Sequence, residues 1–378
     1  MSRLLAVRGT LPAHRYAQSE VTEVFAEVLA PHKPNLPLLQ RMHSNAGVEF
    51  RHLALPLERY PELKDFGASN DEFIRVAVDL GARAVEEALA AAGLAPRDVD
   101  LVVSATITGL AVPSVEARIA ARIGLRDDVK RVPLVGLGCV AGAAGVARVH
   151  DYLLGHPDEV AVLVSTELCS LTVQRDDTSM ANLVASGLFG DGAAAVVMVG
   201  ANRGPGSGLG PAGPGSDAAP AESGSGAGSV TGPRVLATRS RMYADTERAM
   251  GWDVGASGLR IVLGVEVPDL VRDNLRADVD GFLADQGLTR AGLGWYVAHP
   301  GGPKVLEAMQ EALEVDRHAL GMTWDSLARI GNLSSASVLH VLADTLRERP
   351  PAPGSHGLLL AMGPGFCLEM VLLRAAED

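Results

Sequence analysis

The chain has 378 residues, 47% hydrophobic and 21% charged, enough to bury the core of one or two domains without disulfide staples. Its 45 acidic residues outweigh 33 basic ones, and the net charge of -12 excludes a scaffold that neutralises nucleic-acid phosphates over a broad face. Met1 to Thr22 mixes Arg3, Arg8, His14 and Arg15 with apolar residues and offers no signal-peptide core. Runs such as Ala193 to Val199 are too short to span a bilayer, so a cytoplasmic protein without membrane or nucleic-acid partners is expected.

In chain order, the periodicity predicts a helix over Asp71 to Ala92 and a strand over Leu101 to Ser104. A helix over Ser114 to Ile123, a strand over Val132 to Val135, a helix after Cys139 and a strand over Val160 to Ser165 follow. Gly200 to Pro233 is almost entirely Gly, Pro, Ala and Ser, the composition of a flexible loop. It divides the chain into residues 1–199, the loop 200–233 and residues 234–378. Beyond it come an amphipathic helix over Val267 to Gln286, a strand over Trp295 to Ala298, and a helix over Pro303 to Leu313. A short apolar segment at Ala328 to Ile330, a helix after Asn332 and a strand over Gly357 to Met362 complete the series.

The two parts repeat one pattern of strand, helix, strand, helix, strand, with Ala328 to Ile330 in the place of the second strand. The same 33-residue spacing separates Thr106 from Cys139 and His299 from Asn332. Two similar halves can bring these four positions to one site at the carboxyl ends of strands, where ligands bind in open α/β sheets.

Three of the four carry chemistry. Cys139 lies in Gly136-Leu137-Gly138-Cys139-Val140-Ala141-Gly142-Ala143-Ala144-Gly145, where small residues permit a sharp turn and close approach of a thioester. At the start of a helix its thiol is expected to ionise more readily than usual. His299 follows an apolar strand and precedes Pro300-Gly301-Gly302, which places an imidazole where it can pair with a thiolate and donate to a thioester oxygen. Asn332 stands before Leu333-Ser334-Ser335-Ala336-Ser337. Taken singly, each has a plain structural reading: a small core side chain, a histidine near a strand, a helix N-cap. Together they point to a cysteine nucleophile served by two hydrogen-bond donors. Three cysteines in all (Cys139, Cys169 and Cys367), without a close pair, suggest neither a disulfide framework nor a zinc knuckle.

With Gly187-Leu188-Phe189-Gly190-Asp191-Gly192-Ala193, His299-Pro300-Gly301-Gly302-Pro303, Gly331-Asn332-Leu333-Ser334-Ser335-Ala336 and Gly363-Pro364-Gly365 in order, the chain resembles the type III polyketide synthases, the chalcone-synthase-like superfamily. The resemblance spans nearly the whole chain. It implies a homodimeric α/β thiolase fold, five-layered αβαβα from two similar halves, with Cys139, His299 and Asn332 as the triad. Cys139 would carry the starter acyl group from an acyl-CoA, while His299 and Asn332 would stabilise the enolate formed when malonyl-CoA, or a substituted malonyl-CoA, loses CO2. Phe189 would be the gate between a coenzyme A tunnel and the reaction cavity.

The same resemblance places Ile107, Cys169, Thr172, Trp252, Ile261, Ser334, Gly363 and Pro364 around that cavity, with Ile261 in place of a second gating Phe and Trp252 in place of a small Gly. Arg41 matches a coenzyme A phosphate contact, whereas Leu38 and Asn45 stand where plant members carry lysines. The stretch Val103 to Ser114, with Ile107 rather than Cys, resembles alkylresorcinol and alkylpyrone synthases and implies a fatty acyl-CoA starter and closure to a resorcinol or pyrone. The alternative is a tetrahydroxynaphthalene-type synthase. No cofactor is implied: coenzyme A thioesters are substrates, and Gly206, Gly208 and Gly210 fall in the low-complexity loop, outside any strand-turn-helix fingerprint.

Three rivals differ in what they would do. A third-class ketoacyl-carrier-protein synthase shares the triad but usually follows its histidine with Gln-Ala-Asn, where this chain has Pro300-Gly301-Gly302. A cysteine hydrolase would release free acid without consuming malonyl-CoA. A silent binding protein would not need all of Cys139, His299 and Asn332.

Overall fold

A computed structural model describes residues 1–32, 34–203 and 232–377. The expected flexible loop at 200–233 therefore lies mostly outside the described residues.

The first part runs β1 (Arg3–Thr10), β2 (His14–Ala17), α1 (Gln18–Leu29), α2 (Leu36–Ser44), β3 (Phe50–Leu53), α3 (Phe66–Ala92) and β4 (Leu101–Thr106). It continues through α4 (Val115–Ile123), β5 (Lys130–Val135), α5 (Ala141–Gly155), β6 (Val160–Leu168), α6 (Met180–Leu188) and β7 (Asp191–Val199). The second part begins with β8 (Arg234–Met242), β9 (Met250–Gly255), β10 (Gly258–Leu263), α7 (Val267–Ala284) and β11 (Leu293–Ala298). It ends with α8 (Pro303–Leu313), α9 (Gly321–Ile330), α10 (Ser337–Glu348), β12 (His356–Gly363) and β13 (Cys367–Arg374). Helix α3 starts before the expected Asp71 because the Asp65 carboxylate accepts the Ala68 N–H at 2.9 Å and caps it there; Gly93, at φ +69°, ends it.

Nine strands form one mixed ladder in the order β11-β12-β13-β8-β1-β7-β6-β4-β5. The two parts meet between β1 and β8 through a single pairing, Arg3 with Arg234. Alternation along the strands shows the layering. Val160, Val162 and Val164 of β6 join the cluster containing Phe73, Ala77 and Leu80 of α3, while Ala161 and Leu163 join Val146 of α5 and Val338 and Leu342 of α10. In β12, Leu359 and Ala361 share that central cluster, and Leu358, Leu360 and Met362 pack with Phe282 of α7 and Leu306 and Met309 of α8. Helices α5 and α10 thus lie between the two halves of the sheet, and α3 and α7–α8 cover the outsides, giving the five layers of a thiolase fold.

One expectation fails. Ala328 to Ile330 is not a strand but the last turn of α9, whose Thr323, Leu327 and Ile330 recur at helical spacing on its buried side. The second part consequently lacks a counterpart of edge strand β5. The chain after α9 is held instead by a two-bond bridge, in which the Asn332 N–H donates to the Leu188 carbonyl and the Gly190 N–H donates to the Asn332 carbonyl, each at 2.9 Å.

Candidate active site

Cys139 sits in a 3₁₀ turn, Gly138–Val140, that feeds directly into α5. Gly138 takes φ +54°, and a Cβ there would stand 2.8 Å from the Pro364 ring. Gly142, one turn later, lets α5 meet the carbonyl of Ser335 so closely that an added Cβ would lie 2.2 Å away. The small residues around Cys139 therefore bring its turn against the turn that follows Asn332. Cys139 is 8% exposed, and its Sγ lies 3.7 Å from Ser334 Oγ.

His299 follows β11, where its N–H donates to Leu360 of β12 at 3.0 Å, and is 3% exposed. Neither ring nitrogen has a partner among the described residues. Buried polar atoms are rarely left so, which fits a group kept for a substrate. Asn332 is 2% exposed; its Oδ1 accepts the Ser334 N–H at 2.8 Å and the Ser337 hydroxyl at 3.4 Å. With the oxygen engaged on its own turn, the amide nitrogen is the end left to donate elsewhere.

All three side chains line one cavity, with about 40 Å³ of space inside it. Burial pushes the Cys139 thiol up to about 12 and the His299 imidazole down to about 3. The expected easy ionisation at the helix start is outweighed by desolvation, so each group rests neutral.

The structure brings Phe189, Trp252, Ile261, Ser334 and Pro364 onto the walls of the same cavity. Cys169 and Thr172 line a smaller cavity that shares Phe189, Trp252 and Ile261 with the first. Two expected cavity positions lie elsewhere. Ile107 lines neither cavity; its N–H donates to Glu167 at 3.1 Å, held there by the end of β4. Gly363 is covered by the nucleophile's turn, and an added Cβ would lie 2.7 Å from the Val140 nitrogen. Arg41 is exposed on α2, outside both cavities. Thr106, the positional counterpart of His299, directs its hydroxyl to Glu167 at 3.3 Å.

Sequence reasoning missed two groups. One is the rest of the apolar wall, including Met250, Leu263, Val305, Met309 and Phe366. The pair β9–β10 and the helix α8 supply most of it, and spacing alone does not show which of their faces looks inward. The other is Glu167, a fully buried carboxylate at the end of apolar strand β6, whose acid among valines was the available signal. It accepts the hydroxyls of Thr108 at 2.9 Å and Ser335, and burial raises its pKa. Among the described residues, no group of three or more His, Cys, Asp or Glu is placed to hold a metal.

Comparison with known proteins agrees with this geometry. Residues 1–203 match the N-terminal domain, and residues 235–377 the C-terminal domain, of chalcone and stilbene synthases. The chain is 53% identical over 369 residues to 1,3,6,8-tetrahydroxynaphthalene synthase of Streptomyces peucetius subsp. caesius, covering 98% of this chain and 92% of that protein. It is 30% identical to 3,5-dihydroxyphenylacetyl-CoA synthase of Amycolatopsis balhimycina, over 99% of this chain and 94% of that one. Among solved structures, 1,3,6,8-tetrahydroxynaphthalene synthase of Streptomyces coelicolor A3(2), described as a bacterial type III polyketide synthase, superposes with a TM-score of 0.87 at 29% identity and full coverage of both chains. The chain belongs to the chalcone and stilbene synthase family and is a type III polyketide synthase, an acyltransferase that works on acyl-CoA and malonyl-CoA.

Proposed function

We propose that this enzyme condenses malonyl units into an aromatic product of the tetrahydroxynaphthalene type, with Cys139, His299 and Asn332 as its catalytic residues. The observation that carries the chemistry is the convergence of a thiol, an unpartnered imidazole and a carboxamide on one buried cavity. The product class is supported by the 53% identity to a tetrahydroxynaphthalene synthase over nearly the whole chain. The fatty acyl starter expected from Ile107 loses its main support, because Ile107 lies outside the two cavities beside Cys139 and Phe189.

In this mechanism His299 takes the Cys139 proton as the sulfur attacks the starter thioester, and coenzyme A leaves as its thiol with a proton returned. The next malonyl thioester places its carbonyl oxygen between the His299 ring N–H and the Asn332 amide. Loss of CO2 leaves an enolate whose negative charge those two donors stabilise. The enolate carbon attacks the acyl group on Cys139; the new carbon-carbon bond forms as the carbon-sulfur bond breaks, and the thiolate is regenerated. The proposed steps use coenzyme A thioesters as substrates and are written without a metal or organic cofactor. Phe189, on the cavity wall at the end of α6, serves as the gate, and Arg41 is assigned to the coenzyme A phosphates at the mouth.

The enzyme is further proposed to act as a cytoplasmic homodimer. Edge strand β5 leaves Val132 and Val135 exposed, and the neighbouring loop presents Val112 at 95% exposure, a surface suited to a second copy. No helix among the described residues is long and apolar enough to cross a membrane.

The test is incubation of purified protein with isotopically labelled malonyl-CoA, alone and with acyl-CoA starters from acetyl to long-chain, with products identified by mass. A tetrahydroxynaphthalene from malonyl-CoA alone is expected. Products formed only when a long-chain acyl-CoA is present would replace this assignment with a resorcinol or pyrone synthase.

A further inference from the structure

Behind the cavity lies a buried cation that the mechanism above does not use. Arg51 of β3 is 1% exposed. Its Nη1 donates to the carbonyls of Ser186 at 2.5 Å and Phe189 at 3.0 Å, and its Nε and Nη2 have no partner among the described residues. Asp191 is its counter-charge in this interior, and that carboxylate is itself committed to the N–H groups of Ala54 at 2.6 Å and Ser170 at 2.8 Å. Burial lowers Arg51 to about 10, which leaves it charged at neutral pH. A buried guanidinium with free donors is unfavourable for stability taken alone, and an apolar replacement is often neutral or better.

The two carbonyls it holds show what the cation does. They belong to the C-terminal end of α6, where a positive charge meets the negative end of the helix dipole. The residues on either side of Phe189 are those that bridge to Asn332: the Leu188 carbonyl accepts the Asn332 N–H, and the Gly190 N–H donates to the Asn332 carbonyl. Gly331 completes the contact. It sits at φ +74°, and a Cβ there would stand 2.8 Å from the Leu188 carbonyl and 3.6 Å from Arg51 Cγ. Arg51 therefore fixes the carbonyl of a cavity-wall phenylalanine whose neighbours in turn fix the backbone of the carboxamide donor.

We infer that Arg51 is a positioning residue that sets Phe189 and Asn332 in one common geometry, and so controls both malonyl decarboxylation and product length. The inference rests on the roles proposed above for those two residues. It predicts coupled losses: loosening residues 186–190 moves the amide donor away from the developing enolate and changes the shape of the cavity beside Phe189 in the same event.

The test compares Arg51→Lys and Arg51→Met with Phe25→Leu, which alters the aromatic ring 5.7 Å from the guanidinium without touching the α6 carbonyls. Decarboxylation of malonyl-CoA in Arg51→Lys is expected to lose about tenfold in kcat with KM changed less than about threefold, and released products are expected to shift towards shorter chains. Phe25→Leu should lower the melting temperature and leave the product ratio as in the wild type. Backbone hydrogen exchange supplies a readout independent of activity: the amides of Gly190 and Asn332 should exchange at least about tenfold faster in Arg51→Lys, relative to the β6 amides. Unchanged exchange and product ratio in a folded Arg51→Lys would overturn the inference, as would an equal product shift in Phe25→Leu. If Arg51→Met does not fold, Arg51→Lys decides. A wild type that does not decarboxylate malonyl-CoA overturns the proposed function instead, and the exchange measurement still decides whether Arg51 holds the bridge.

Discussion

Cys139 Sγ lies 3.7 Å from Ser334 Oγ, and this hydroxyl is the one hydrogen-bond partner of the thiol among the described residues. A weak contact of this kind lowers the thiol's pKa slightly, while burial raises it far more. The sulfur therefore needs a base to take its proton, the role proposed for His299. Several consequences can be measured.

Replacing Cys139 with Ala removes the acyl carrier and leaves both proposed enolate donors in place. Polyketide formation should fall below detection, while conversion of malonyl-CoA to acetyl-CoA persists at a measurable rate. Full condensation activity in Cys139→Ala would rule out Cys139 as the acyl carrier.

Alkylation of the free enzyme by iodoacetamide reports thiolate. In the wild type, the proposed proton transfer to His299 would supply it as the reagent reacts; in His299→Ala that acceptor is gone, and burial, the largest influence on the thiol, keeps its pKa raised. Inactivation of His299→Ala at pH 7 should be at least about tenfold slower than wild type, rising continuously as pH increases through 9. Equal rates at pH 7 would show that the imidazole does not activate the sulfur.

Trp252, on β9, stands on the walls of both cavities and forms part of the division between them. Trp252→Gly should join the two spaces and lengthen the products or broaden their distribution, with decarboxylation changed less than about threefold. An unaltered product profile would remove Trp252 from the cavity's control of length.

Buried neutral histidines make stability depend on pH. His43, His299 and His340 are depressed to about 3, about 3 and about 4, so on acidification the unfolded chain takes up protons that the folded chain refuses. Each contribution is fully present above the unfolded value of about 6.5 and declines by about 1.4 kcal/mol per pH unit below it, until the folded value is reached. Asp191, raised to about 6, acts in the opposite direction below that pH and offsets part of the loss. Urea unfolding should show lower stability at pH 5 than at pH 7. His340→Gln, which can still donate to the Ala193 carbonyl, should flatten that slope. A slope unchanged in His340→Gln would contradict a neutral buried imidazole at this position.

The sequence by itself determined α3, the run from β4 to β6, and α7, β11, α8, α10 and β12, together with the 33-residue spacing of Thr106 to Cys139 and His299 to Asn332, because apolar periodicity and glycine turns are local properties. Helices α5 and α10 were legible for the same reason, and Gly138 and Gly142 can be read as small residues before anything is known of what they approach. What they approach was decided only by tertiary structure: Pro364 and the Ser335 carbonyl, more than 190 residues away in the chain. The helical state of Ala328 to Ile330 was also decided there, since three residues, two of them apolar, fit a strand or a helix end equally well until the bridge to Leu188 and Gly190 takes the strand's place. The same holds for Ile107, Gly363 and Arg41, whose distance from the cavity depends on how β4, β12 and α2 are turned. Ionisation was out of reach of the sequence as well. The start of a helix argues for an acidic thiol, yet desolvation depends on every element packed around Cys139, and in the assembled interior it is the larger effect.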